Sequence, residues 1–318
     1  SVRGVSFHVK KGETLAIVGE SGCGKSVTAK SIMRLIADPG KIKDGSSIVF
    51  DGRDVLAMRK RELRSYRGDD CAMIFQDALT SLDPTMKVGK QIAEVLKIHG
   101  KANGKRAAAQ AVELLRQVGI PNPERRAQEY PHQFSGGMRQ RAMIATALAC
   151  SPKLLIADEP TTALDVTIQA QIIDLMKQLQ QQTGTAIILI THDLGVVADI
   201  AQRICVMYSG KIVECGSARD IFYRPRHPYT LALLSSVPRL DLKNKQELVT
   251  IDGTPPDLLQ PPAGCPFCTR CKYCMPICRD EMPAETDFGS GHLAACWLHD
   301  ARAPSVDAPL YDEKETEK

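Results

Sequence analysis

The run Gly19-Glu20-Ser21-Gly22-Cys23-Gly24-Lys25-Ser26 constrains this chain more than any other feature. Its G-x-x-x-x-G-K-S spacing is that of a phosphate-binding loop, in which glycines let backbone N–H groups close around an anion and a lysine supplies positive charge. The apolar run Thr14-Leu15-Ala16-Ile17-Val18 enters the loop, and Ser26 to Ile36 continues as an amphipathic helix. Strand, loop and helix in that order are the setting such a loop needs, and they point to an α/β fold. Farther on, Ser135-Gly136-Gly137-Met138-Arg139-Gln140-Arg141 is a small-residue turn that also opens a helix and offers N–H groups to an anion. One nucleotide needs one cradle. Two in one chain suggest that each nucleotide is held by loops from two subunits.

The loop residues Ser21, Gly22, Cys23, Gly24, Lys25, Ser26 and Val27 are the candidates for holding a nucleoside triphosphate. Amides of Gly22, Gly24 and Lys25 would wrap the β-phosphate, Lys25 would neutralise β/γ oxygens, and the Ser26 hydroxyl would ligate Mg²⁺. Leu154-Leu155-Ile156-Ala157-Asp158-Glu159 is an apolar strand ending in two carboxylates. A carboxylate at a buried strand end is costly unless a metal or hydrogen bonds hold it. Asp158 is therefore expected to hold Mg²⁺, and Glu159 to orient or deprotonate the attacking water. Gln76 follows the strand in Met73-Ile74-Phe75-Gln76-Asp77 and would reach Mg²⁺ or that water through its amide oxygen. His192, just past Ile190, is placed for the γ-phosphate. A lone Gln or His is more often an ordinary polar residue. These two gain weight from their company.

At 318 residues the chain accommodates one large α/β domain and a smaller appendage, and 43% hydrophobic content supports a buried core. A net charge of +4, from 41 basic and 37 acidic residues, gives no pull toward nucleic acid. No apolar run reaches the length of a membrane-spanning helix. The opening Ser1-Val2-Arg3-Gly4-Val5-Ser6-Phe7 reads as the middle of a strand, an expectation of further residues upstream. Strands are expected at 46–51, at Leu154–Ala157 and at Ala186–Ile190, with a helix over about 166–182 between the last two. Residues 84–150 read as mostly helical, with Val88, Ile92, Val95 and Leu96 at helical spacing, as are Ala107, Ala111, Leu114, Leu115 and Val118. Arg203 to Tyr208, Ser209-Gly210 and Lys211 to Glu214 read as a hairpin. The composition shifts after about residue 223, where a domain boundary is expected.

The phosphate loop, Gln76, Ser135-Gly136-Gly137, Asp158-Glu159, Ala163-Leu164-Asp165 and His192 occur in an order that resembles the ATP-binding-cassette ATPases, over nearly all of residues 1–222. The resemblance implies a phosphate-loop NTPase fold of that type with a helical subdomain at about 84–150. It implies that two such domains sandwich two ATP molecules head to tail. Ser135, Gly136 and Gly137 would then reach the nucleotide held by the opposite subunit, and Asp165 would lie at the dimer seam. The signature here reads Phe134-Ser135-Gly136-Gly137-Met138, where the commoner form has Leu first and Gln last. The aromatic residue that stacks on adenine in the family lies upstream of the first strand, so this chain starts too late to contain it.

Downstream, Phe222-Tyr223-Arg224-Pro225-Arg226-His227-Pro228-Tyr229-Thr230, Leu233 to Leu240 and Ile251 to Leu258 resemble the C-terminal extension of dipeptide/oligopeptide importer ATPases, expected here over 223–303. Residues 304–318 read as a flexible tail. Of eleven cysteines, Cys23, Cys71, Cys150, Cys205 and Cys215 are scattered, while six crowd into 265–296. A segment this small buries little core, so a metal is expected to hold it together. Thiolate ligation suits zinc or an iron–sulfur cluster. Cys268, Cys271, Cys274 and Cys278 have the C-x₂-C-x₂-C-x₃-C spacing of bacterial ferredoxins, with Arg279 where that motif has proline. The resemblance instead implies a [4Fe–4S] cluster on Cys265, Cys271, Cys278 and Cys296, the preferred set, with zinc as the lesser alternative.

The resemblance thus implies an ATP-hydrolysing subunit of a peptide importer, peripheral on the cytoplasmic face of the membrane. Its partners would be transmembrane permease subunits, a second ATP-binding subunit (a copy of itself or a paralogue) and, indirectly, an extracytoplasmic peptide-binding protein, with no nucleic acid. Residues about 77–100 would receive a permease helix, although their apolar stripe reads equally as core packing. The rival reading is a soluble cassette ATPase acting on DNA or ribosomes, with a structural zinc. Such proteins usually carry long coiled-coil insertions or two cassettes, and this sequence has no sustained heptads and one phosphate loop.

Overall fold

The structure, a computed structural model, describes residues 2–77, 81–162, 164–236 and 251–304. Ala163, the Val237-Pro238-Arg239-Leu240 stretch and the tail from residue 305 lie outside the described residues. The chain divides into two compact units: residues 1–8, 15–28 and 191–318 form the first, and 9–14 with 29–190 the second.

In the second unit three parallel strands lie in the order Cys71–Ile74, Leu154–Asp158, Ala186–Thr191, with Cys71 opposite Leu154 and Leu154 opposite Ala186. Leu154 to Asp158 and Ala186 to Thr191 are buried at every position. Continuous rather than alternating burial is what strands covered on both faces require, and it explains their unbroken apolar sequence. The helical region expected at 84–150 is present as Val88–Ile98, Gly104–Gln117, Pro123–Arg126 and Gly136–Leu148. Val88, Ile92 and Leu96 are fully buried, as are Ala107, Ala111 and Leu115, so the apolar stripe of the first of these helices is core packing. Small residues let these helices approach closely: a Cβ on Gly89 would stand 2.7 Å from the Ala127 Cβ. The helix Val166–Thr183 stops at Gly184, whose φ of +66° supplies the left-handed cap.

Two expected elements are shorter in the structure. The helix after the phosphate loop is Lys25–Ile32 rather than running to Ile36. Arg34 turns the chain left-handed at φ +50°, and its guanidinium donates to the Val55 and Met58 carbonyls at 3.1 and 2.8 Å. The strand expected at 46–51 is Val49–Phe50, paired with Arg53–Asp54 across Asp51-Gly52, both at positive φ.

In the first unit Thr14–Val18 runs parallel to Arg203–Tyr208, which pairs antiparallel with Lys211–Ser217. The Ser209-Gly210 turn has φ +45° and +79°, the primed geometry that matches strand twist in a hairpin. Residues 2–8 form no strand, contrary to expectation. Gly4 breaks the extended backbone at φ +81°, and the Arg3 N–H donates to the Gly210 carbonyl at 2.7 Å. The C-terminal segment adds Leu293–Ala294 to the edge of Lys211–Ser217, and Thr286–Asp287 to Leu293–Ala294. Glu214 ties this region down. Its buried carboxylate accepts from the Arg226 and His227 amides at 2.7 and 3.0 Å and pairs with His292 Nε2 at 2.8 Å.

The core of this unit gathers Ala16, Val18, Ile204, Val206, Tyr208, Val213, Tyr229 and Phe267 among others. Phe267 comes from the cysteine-rich segment, yet its ring centroid lies 5.3 Å from those of both Tyr208 and Tyr229. Truncation leaves a cavity that flanking strands fill poorly, so Phe267→Ala is expected to cost about 3–5 kcal/mol. Thermal denaturation checks this, and an unchanged midpoint would mean that the segment does not share the core.

Candidate functional site

The phosphate loop and His192 belong to the first unit. Gly19 is the loop's tightest point: a Cβ there would lie 2.1 Å from the Met207 carbonyl oxygen, and its φ of +150° already disfavours a side chain. Gly22 and Gly24 turn at φ +79° and +108°. The Cys23 carbonyl accepts from the Gly210 N–H at 2.8 Å, and burial pushes the Cys23 thiol up in pKa despite Lys25 beside it. Lys25 is 5% exposed, and its ammonium donates to the carbonyls of Gly19 (2.7 Å) and Glu20 (3.0 Å). Its partners, the Cys23 sulfur at 4.0 Å included, all belong to its own loop. A buried cation thus stands beside the first turn of Lys25–Ile32, where Ser26 lies half-buried, an arrangement chemically suited to a polyanion. His192 is exposed directly after Ala186–Thr191, and Asp193 caps the helix Leu194–Ile200 by accepting from the Gly195 and Val196 amides.

The second unit holds Gln76, Asp158, Glu159, the Ser135 turn and Asp165. Asp158 ends its strand at 3% exposure. Glu159 follows at φ +48°, a left-handed conformation costly for a residue with a side chain, and its N–H donates to the Ile190 carbonyl at 2.8 Å. Its Oε2 accepts from Gln76 Nε2 at 3.0 Å and from Thr162 Oγ1 at 2.9 Å. The structure therefore brings Gln76 and Glu159 together and adds Thr162, which the sequence pattern does not single out. Ser135 is exposed and caps the helix Gly136–Leu148, accepting from the Met138 amide at 3.3 Å, so this turn does open a helix. Asp165 likewise caps Val166–Thr183, accepting from the Ile168 amide at 3.0 Å. The two turns abut: a Cβ on Gly137 would stand 2.9 Å from Ile168 Cγ2. Glycine is needed there to let the second helix pack.

The six clustered cysteines all fall in the first unit. One cavity is lined by Cys265, Cys268, Cys271, Cys278 and Cys296 together with Phe267 and Trp297. Cys274 is not in that lining; its Sγ lies 2.7 Å from that of Cys268. Burial raises Cys265 and Cys271 to about 11 and Cys296 to about 12, so without a bound cation these thiols are protonated at neutral pH. Among the described residues, Asp69, His99 and Cys150 are the one group whose ligand atoms all lie within 4.8 Å of one another. Lys101 already pairs with that carboxylate at 3.1 Å and opposes a cation there.

A glycine-lined loop with a buried lysine, and a carboxylate pair closing a parallel strand, define a nucleoside triphosphatase of the phosphate-loop class. Comparison with known proteins narrows this. Residues 2–162 match the family described as ABC transporter, and residues 213–278 match the oligopeptide/dipeptide transporter C-terminal region. The chain is 56% identical over 304 residues to the dipeptide transport ATP-binding protein DppD of Bacillus subtilis, covering 95% of this chain and 90% of that one. It is 52% identical to the oligopeptide transport ATP-binding protein OppD of Salmonella typhimurium, covering 93% and 88%. Among solved structures, a dimeric post-hydrolysis state of the ATP-binding cassette MJ0796 with ADP and Pi aligns at a TM-score of 0.61 and 29% identity, covering 69% of this chain and 90% of that one. The chain belongs to the ABC transporter family of ATPases.

Proposed function

We propose that this chain is the ATP-hydrolysing subunit of a dipeptide or oligopeptide importer, working on the cytoplasmic face of the membrane beneath a permease. The observation that carries this reading is the double match: ATPase family over 2–162 and peptide-transporter C-terminal region over 213–278. Among the described residues no helix is long and apolar enough to cross a membrane; in this reading the transport path lies in the permease subunits. The test is uptake of a radiolabelled dipeptide by cells that lack this chain and are then supplied with it. Restored uptake with wild type and not with Lys25→Ala supports the reading. Uptake that never depended on the chain contradicts it, and sedimentation with nucleic acid instead of membranes would favour the rival class.

In this reading Gly22, Gly24 and Lys25 bind the β- and γ-phosphates, and Lys25 exchanges a carbonyl of its own loop for a phosphate oxygen. Ser26, Gln76 and Asp158 would hold Mg²⁺, which would neutralise the charge that develops on the phosphates. Glu159 takes the proton of the attacking water, with Gln76 and Thr162 fixing its carboxylate, and His192 contacts the γ-phosphate. Ser135, Gly136 and Gly137 reach the nucleotide of the opposite subunit, with Asp165 at the seam. The exposure of Ser135, Gly136 and Asp165 supports those roles.

For the cysteine module we favour a [4Fe–4S] cluster on Cys265, Cys271, Cys278 and Cys296. Their presence in one cavity supports this set; Cys268 lines the same cavity, and Cys274, outside the lining, has its Sγ 2.7 Å from that of Cys268. Protein purified without oxygen is expected to be brown with about four irons per chain. Cys271→Ser should lose the metal and Cys274→Ser retain it. A colourless protein with one zinc would overturn this part.

A further inference from the structure

Arg270 lies between Cys268 and Cys271, and its side chain is 4% exposed. All five of its N–H groups are used. Nη1 donates to Glu20 Oε2 at 2.7 Å and to Tyr208 Oη at 3.1 Å, while Nη2 donates to Glu20 Oε1 at 3.0 Å and to the Ile251 carbonyl at 3.1 Å. Nε donates to the Asp252 carbonyl at 3.0 Å. Such a fully satisfied fork holds one geometry, and a bidentate carboxylate is the partner it fits best.

That carboxylate is the second residue of the phosphate loop. Three separate groups fix Glu20: Tyr229 Oη accepts from its N–H at 2.9 Å, Lys25 donates to its carbonyl at 3.0 Å, and Arg270 clamps its side chain. Charge makes the third contact more than an anchor. A negative side chain in a loop that must receive a polyanion raises the energy of the bound state unless a cation compensates it.

We propose that Arg270 is a positioning residue for nucleotide binding, compensating and immobilising Glu20 and so linking the cysteine module to the phosphate loop. This rests on the reading of that loop as the ATP site. It makes ATP affinity depend on a folded C-terminal segment, because Phe267 and the flanking cysteines set where Arg270 stands.

The test uses the full chain and titration with a fluorescent N-methylanthraniloyl ATP, with ATPase KM and kcat, metal content and melting temperature measured beside it. Arg270→Ala is expected to raise Kd and KM roughly tenfold, the worth of a lost charged hydrogen bond, with kcat largely kept. Arg270→Lys, which keeps the charge but not the fork, should fall between that variant and wild type. Glu20→Gln alone, which leaves the Arg270 cation beside the loop, should not weaken binding. Combined with Arg270→Ala it should restore most of the lost affinity, because the uncompensated charge is gone. A purely structural anchor would lower the melting temperature or metal content without this rescue. Wild-type affinity in Arg270→Ala, or no rescue by Glu20→Gln, overturns the proposal. If wild type and Lys25→Ala bind the probe equally, the ATP assignment itself has failed, a distinct result.

Discussion

Glu159→Gln is expected to lower the steady-state ATPase rate by about 10²–10⁴-fold while leaving ATP binding intact. The substitution keeps size and shape, and an amide carbonyl still accepts from Gln76 Nε2 and Thr162 Oγ1, the two bonds that orient the carboxylate. The left-handed backbone at φ +48° is equally unaffected, since Gln and Glu pay the same cost there. What disappears is the ability to take a proton from water. With ATP bound and not cleaved, the variant should accumulate as a dimer on gel filtration in the presence of ATP, whereas the wild type should not. A variant that hydrolyses ATP at the wild-type rate would remove Glu159 from the reaction.

Gly19→Ala should abolish nucleotide binding by a different route. The new methyl group would sit 2.1 Å from the Met207 carbonyl oxygen and 3.0 Å from Cys23 Sγ. Met207 is 1% exposed on a strand paired on both sides, so the backbone has nowhere to retreat. Overpacking together with an unfavourable φ is expected to destabilise by about 3 kcal/mol or more. Gly22→Ala provides the contrast. Its Cβ would meet nothing within 4 Å, leaving only the left-handed backbone cost of about 1–2 kcal/mol. Melting temperatures of the two variants should differ by several degrees, Gly19→Ala being the lower. Equal melting temperatures and intact nucleotide binding in both would mean that the loop adopts another path.

The parts of this fold that sequence exposes are those with a local signature. Leu154–Asp158 and Ala186–Thr191 are legible because burial on both faces demands unbroken apolar runs. The helices of residues 84–150 show through their spacing, and the phosphate loop through its glycines. What stays hidden is set by distance or by brevity. Leu293–Ala294 completes a sheet edge with two residues, too few to show a period. Arg270 meets Glu20 across 250 positions, and no pattern of either neighbourhood announces it. The only local hint is an arginine set between two cysteines. Thr162 joins Glu159 through a turn that any small polar residue would satisfy in sequence. The stripe Val88, Ile92, Leu96 is readable as a face, but only packing decides that the face is core. Likewise the spacing of the six cysteines leaves two ligand sets open, and only the fold shows that Cys274 stands outside the cavity that the other five line.

The most direct test of the account is the ATPase rate of this chain assembled with its permease in proteoliposomes, measured with and without a peptide-loaded binding protein. ATP hydrolysis to ADP and phosphate is expected to rise with peptide, to be lost in Glu159→Gln, and to accompany peptide accumulation inside. Hydrolysis indifferent to peptide and permease, with no accumulation, would contradict it.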